Sequence, residues 1–248
     1  MARRSGRDAE SVYRHIRAAA ESGWDFSSRW FADGMHMNTI ETTDLIPVDL
    51  NCLLYFLEKT LLQIHRMMPD HTATDVLKEK ARRRKNAIQA YCWDESVGFY
   101  KDYNHVRGAM SPQLTLAAVF PLFFHIAEPD QAAYVADKLE EKFLHVGGLA
   151  TTLVRSGQQW DAPNGWAPLQ WVSVAGLRNY GYRSYDPYTL RWVSPDPVAT
   201  FVPDAVAPQL ANRYSFSANN PVRYLDPDGL APGDGPQLPS CSDAVAGP

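Results

Sequence analysis

Asp25 lies between Trp24 and Phe26 in the run Ser22-Gly23-Trp24-Asp25-Phe26-Ser27-Ser28-Arg29-Trp30. Aromatic rings stack on the apolar faces of sugar rings. A carboxyl group walled by aromatics loses part of its hydration, which raises its pKa toward the range a general acid needs. Arg29, four residues on, pulls the other way. The same run has a plain structural reading, in which Ser22 or Asp25 caps a helix and the tryptophans enter a core. A second stretch has the same flavour: Gly157-Gln158-Gln159-Trp160-Asp161-Ala162-Pro163-Asn164-Gly165-Trp166-Ala167-Pro168-Leu169-Gln170-Trp171. It gathers tryptophans, one acid and several turn formers. Asp161, like Asp49 further upstream, also reads as a turn or cap residue.

These residues need a scaffold, and the patterning supplies helices. Val12, Ile16 and Ala19 share one face of a helix over residues 9–20, which delivers the chain into the Gly23–Trp30 run. Residues 31–46 have no clear period and read as a long loop, a kind of segment that is often functional. Pro47 opens a helix over Val48–Met67 with Leu53, Leu54, Leu57, Leu61 and Ile64 on one stripe. A third helix is expected over 72–91, with Val76, Leu77, Ala81, Ile88 and Tyr91 buried. Its run Lys78–Lys85 holds six basic residues and reads as a solvated face. The aromatic and acidic segment 93–103 predicts tight β-type turns. The apolar pattern then predicts helices over 111–126, from Pro129 to about Leu144, and up to about Tyr180.

Composition narrows the function classes. The chain has 248 residues, of which 45% are hydrophobic and 12% aromatic, enough for a packed core. A net charge of -4 gives no basic field for nucleic acid. No apolar run approaches the roughly 20 residues that span a bilayer. The basic start Met1-Ala2-Arg3-Arg4 is not followed by an apolar segment, so no secretory leader is read and a cytoplasmic location is the default expectation. Cys52 and Cys92 fall in apolar helical patterns and read as buried thiols; Cys241 is remote from both. The seven histidines show no metal-ligand spacing. Neither a metal nor a cofactor is expected.

With both aromatic stretches in view, the chain resembles the trehalases, inverting glycosidases that split α,α-trehalose into two glucoses on an (α/α)6 barrel. Gln158-Gln159-Trp160-Asp161-Ala162-Pro163-Asn164-Gly165-Trp166-Ala167-Pro168 is similar to a signature of that family. The run 22–30, Pro47-Val48-Asp49-Leu50-Asn51 and Gly147-Gly148-Leu149-Ala150-Thr151 match further motifs. The resemblance implies a mainly α fold built as a partial toroid of helical hairpins. It implies Asp25 as the general acid and Gly23, Trp24, Arg29, Trp160, Asp161, Asn164 and Trp166 as sugar contacts. Inversion needs a second carboxylate that deprotonates a water. No segment like the one that carries the family's base is found, and neither Asp49 nor Asp161 falls at its place. The resemblance covers the middle of such a barrel, so activity is expected only with a complementing fragment. Helix faces meant for missing neighbours would favour self-association.

Beyond about residue 180 the character changes. Eleven of the 18 prolines follow residue 186 and no lysine follows Lys142. Tyr180-Gly181-Tyr182-Arg183, Tyr185-Asp186-Pro187 and Asp226-Pro227-Asp228-Gly229-Leu230 resemble the Rhs (YD-repeat) associated core module. That resemblance implies a small β or irregular segment over 181–230 and self-cleavage after Leu230 using Arg183 and Asp196. Ser184 and Leu190 depart from the module's pattern, and its shell-forming repeats are missing. A proline-rich, poorly ordered extension is the alternative for this segment; for the whole chain the alternatives are an Rhs-type toxin-associated or interaction fragment and a non-functional chimeric remnant. Residues 231–248 are expected to be disordered.

Overall fold

The computed structural model describes residues 6–68, 73–180, 185–186, 191–192, 224–225 and 233–234. The chain divides into two units, Met1–Tyr180 and Gly181–Pro248. The first is mainly helical.

Helix α1, Ala9–Glu21, starts where the Asp8 side chain accepts a hydrogen bond from the Ser11 N–H. It buries Val12, His15 and Ala19. It stops at Ser22, because the next residue, Gly23, takes φ +79°, a conformation that ends a helix and suits glycine. Ser28–Trp30 makes a 3₁₀ turn, and the segment 31–46, expected as one long loop, is wound into two more, Met37–Thr39 and Thr42–Asp44. A bridge between Phe31 and Ile40 ties it together. It ends in strand β1, Leu45–Ile46.

Pro47 precedes helix α2, Val48–Met67, which packs along helix α3, Thr74–Cys92. Arg84 of α3 joins the two through Glu58 at 2.8 Å and Asn51 at 2.8 Å, so one residue of the basic run is structural. The expected burial of α2 does not hold. Val48, Asp49, Cys52 and Leu62 are buried, whereas Leu53, Leu57, Leu61 and Ile64 are exposed. On α3, Ala81 and Ile88 are buried as expected, but Val76 and Tyr91 face out. Cys52 and Cys92 are both buried free thiols.

The 93–103 segment forms the predicted turns. Strands β2, Trp93–Asp94, and β3, Phe99–Tyr100, make one hairpin. Strands β4, Tyr103–Asn104, and β5, Ala109–Met110, make another and join β1 in a three-stranded sheet. The helix expected over 111–126 is a correction: the chain stays extended to Thr115, makes a 3₁₀ turn at Leu116–Val119 and gives only a short helix α4, Phe120–Phe123. His125 then turns at φ 54°. The apolar run there is core because it is buried on all sides: Leu116, Ala117, Ala118, Val119, Leu122 and Ile126 are each fully enclosed. Helix α5, Pro129–Lys138, carries a capping box between Glu128 and Gln131 and continues as a π-turn to Phe143. Strands β6, Leu144–His145, and β7, Gly148–Leu149, form a hairpin turning at Val146–Gly147. Helix α6, Ala167–Arg178, closes the unit against α4. Gly176 permits that contact, since a Cβ there would sit 3.0 Å from the Phe123 nitrogen.

In the second unit, strands β8, Tyr185–Asp186, and β9, Arg191–Trp192, pair antiparallel, as do β10, Tyr224–Leu225, and β11, Gly233–Asp234. Gly233–Asp234 lies inside the stretch expected to be disordered. Arg183, Asp196 and Leu230, the expected self-cleavage residues, lie outside the described residues.

Candidate active site

The two aromatic stretches, more than 130 residues apart, meet. The Trp160 N–H donates to the Phe26 carbonyl at 3.2 Å. The ring of Trp166 meets that of Trp24 edge to face, with centroids 6.0 Å apart, and stacks on Trp160 at 4.8 Å. Gly23 lies under the same indole: a Cβ there would be 3.4 Å from the Trp166 ring. Trp160 and Trp166 are half-buried. The buried Trp160 indole N–H has no hydrogen-bond partner among the described residues.

Arg29 anchors one side of Asp25. It is 1% exposed. Its Nη1 and Nη2 donate to Asp49 at 2.7 Å each, and its Nε and Nη2 donate to Asp102 at 2.7 and 2.9 Å. The guanidinium carbon lies 4.4 Å from the Trp24 ring centroid and 4.5 Å from that of Trp30, so two indoles clasp the cation. Trp24 Nε1 also donates to Asp49 at 3.1 Å, and Trp30 Nε1 donates to the Trp24 carbonyl at 3.0 Å. Asp102 further accepts from the Val48 N–H at 2.9 Å, which fixes the start of α2 to the same hub. Burial alone would push the guanidinium pKa down; the charges of Asp102 and Asp49 outweigh it and raise it. Burial alone would raise the Asp49 pKa; the Arg29 charge and hydrogen bonds outweigh it and hold Asp49 below the usual carboxylate range.

Asp161 anchors the other side. It is fully buried and accepts from the Ser27 hydroxyl at 2.9 Å, the Ser28 N–H at 2.9 Å, the Ser28 hydroxyl at 2.8 Å and the Thr152 hydroxyl at 2.9 Å. The Ser156 hydroxyl donates to it as well. No cation pairs with it among the described residues; neutral donors alone hold this carboxylate.

Between the two anchors Asp25 is exposed, and its carboxylate makes no hydrogen bond or ion pair among the described residues. The expectation of a carboxyl desolvated by aromatic walls is therefore corrected. Trp24 turns inward onto Arg29 and leaves Asp25 in solvent. Arg29 and Asp161, expected as sugar contacts, are enclosed and hold the loops instead. Trp24 is 3% exposed and belongs with them. Gly23, Trp160 and Trp166 remain around Asp25's loop. Asn164 is exposed, with its side-chain N–H on the Gln159 carbonyl at 2.9 Å and its backbone carbonyl on the Thr151 N–H at 3.0 Å.

Asp102 was not among the expected site residues. Nothing near it marks it, since it lies in a turn 73 residues beyond Arg29. The available signal was Arg29 itself, because a guanidinium inside an aromatic run needs carboxylate partners once buried. No group of three or more His, Cys, Asp or Glu side chains suited to a metal ion occurs among the described residues. No helix among them is long and apolar enough to cross a membrane.

A family profile described as trehalase matches residues 1–196, running past Tyr180. The periplasmic trehalase of Salmonella newport (strain SL254) is 50% identical over 175 residues, which is 71% of this chain and 31% of that protein. A putative periplasmic trehalase of Salmonella typhi matches equally. Among solved structures, neutral trehalase Nth1 from Saccharomyces cerevisiae superposes with a TM-score of 0.60 at 30% identity, covering 69% of this chain and 33% of that one. The chain thus spans about a third of the length of the relatives it matches.

Proposed function

The chain belongs to the trehalase family, and from that premise we propose that it carries the proton-donating half of an inverting hydrolysis of α,α-trehalose. Asp25 is the general acid and protonates the glycosidic oxygen as the bond to the anomeric carbon breaks. The stacked Trp160–Trp166 pair offers an apolar face to a glucose ring. Gly23 leaves room for that indole pair. The helical hairpins form part of an (α/α)6 ring.

One observation carries this reading. Of the four carboxylates gathered around the two aromatic loops, Asp49, Asp102 and Asp161 are buried and engaged, and Asp25 alone is presented to solvent. The same observation bears on the base. An inverting site needs a second carboxylate roughly 6.5–9.5 Å away, free to take a proton from water. The engaged three are unfit for that, so none of the carboxylates gathered around the two loops supplies the base, and residues 1–248 alone are expected to turn over no trehalose. The exposed α2 stripe would be covered by a complementing fragment or a second copy.

A segment exchange tests the assignment. Residues 1–180 of this chain are placed in the matching third of the 50%-identical Salmonella newport relative, and glucose release is followed by a coupled assay. Given an active parent exchange protein, Asp25→Asn is expected to lower kcat/KM about 10²–10⁴-fold. An Asp25→Asn protein as active as its parent would refute the role.

A further inference from the structure

A cleft of about 710 Å³ opens between the β6–β7 hairpin and the second aromatic loop. One wall is the β6–β7 hairpin with Lys142 and His145; the other is the segment Thr152–Arg155 with Ala162 and Pro163. Lys142, His145 and Arg155 line it, and no carboxylate does among the described residues. Lys142 lies 3.5 Å from Glu141, but that carboxylate is shared with Lys138 at 3.3 Å, so two ammonium groups meet one acid. Arg155 pairs with no carboxylate among the described residues. Leu153, Ala162 and Pro163 give the cleft an apolar side. Its size suits a small molecule rather than a single ion.

We propose that this cleft binds a phosphate group carried by a small, sugar-sized molecule. Arg155 meets the phosphate with its planar donor fork, Lys142 adds a point charge and His145 a ring N–H. The remainder of the ligand lies on Leu153 and Pro163. The site communicates with the aromatic loop, because Thr152 lines the cleft and donates to Asp161, which holds Ser27 and Ser28 beside Asp25. The inference is independent of the glycosidase reading: it fails or stands on binding alone.

Amide chemical shifts of the full chain, titrated with inorganic phosphate, glucose 6-phosphate and glucose, test it. Phosphate and glucose 6-phosphate are expected to move the amides of 144–147 and 152–162 saturably in the low-millimolar range, glucose 6-phosphate more tightly. Glucose should leave them in place. Arg155→Ala is expected to weaken both phosphates roughly tenfold, the loss of one charge-assisted contact, and Lys142→Ala less. Both side chains are exposed, and unchanged shifts elsewhere verify the fold of each variant. The proposal is overturned if neither phosphate saturates, if glucose alone moves the same amides, or if Arg155→Ala binds as the parent does.

Discussion

The two anchors that flank Asp25 do the same mechanical task by opposite means. On one side a cation is closed between two carboxylates and two indoles, so two buried negative charges share one buried positive charge. On the other a single anion is held by hydroxyls and one amide N–H with no countercharge among the described residues. The first arrangement fails as a unit when any member is lost, because a buried ion is left unpaired. The second is graded, since each neutral donor contributes a share and the others remain. The loop bearing the exposed acid is thus rigid from both ends, but only one end is brittle.

The largest test of that contrast removes the cation. Arg29→Met leaves Asp49 and Asp102 buried without a countercharge and is expected to lower the unfolding free energy by about 3–5 kcal/mol, read from urea unfolding. Arg29→Lys should recover little, since one ammonium cannot fork to both carboxylates. Asp161→Asn is the counterpart: it keeps the shape and one acceptor oxygen, and should cost about 1–3 kcal/mol. An Asp161→Asn loss equal to or above that of Arg29→Met would break the comparison.

A pH series sharpens it further. The folded-state pKa of Asp49 lies below its unfolded value. Its contribution to stability is therefore complete above the ordinary carboxylate range near about 4 and is lost as pH falls through the depressed folded-state value. Asp49→Asn should remove that part of the acid slope. An unchanged slope would show that Arg29 does not set it. The smallest effect belongs to the exposed stripe of α2. Leu57→Lys should change stability by no more than about 0.5 kcal/mol while reducing self-association in sedimentation velocity.

Helix ends were legible wherever local chemistry set them. Pro47 marks the start of α2, and Gly147 of the Gly147–Gly148 break sits in the hairpin turn. Patterns that depend on neighbours were not. The α2 stripe has a core helix's periodicity, yet Leu53, Leu57, Leu61 and Ile64 lie in solvent, because periodicity reports which face could be buried and not whether anything covers it. Residues 116–124 are uniformly apolar, and such a run fits a buried irregular segment as well as a helix. At the site, the motifs named Asp25, Arg29 and Asp161 but not their orientation. Whether a side chain meets ligand or holds a loop depends on partners such as Asp102 and Thr152, distant in sequence and ordinary in type.

Cys52 and Cys92 lie close enough to this hub that the negative charges of Asp49 and Asp102 act on them. Burial first, then those charges, push the Cys92 thiol up to about 12 and the Cys52 thiol well above its ordinary value. In the closed state neither sulfur is nucleophilic, so alkylation can proceed only during moments when the Arg29 hub comes apart. The time course of modification at Cys52 and Cys92, followed apart from Cys241, is then a clock for that opening.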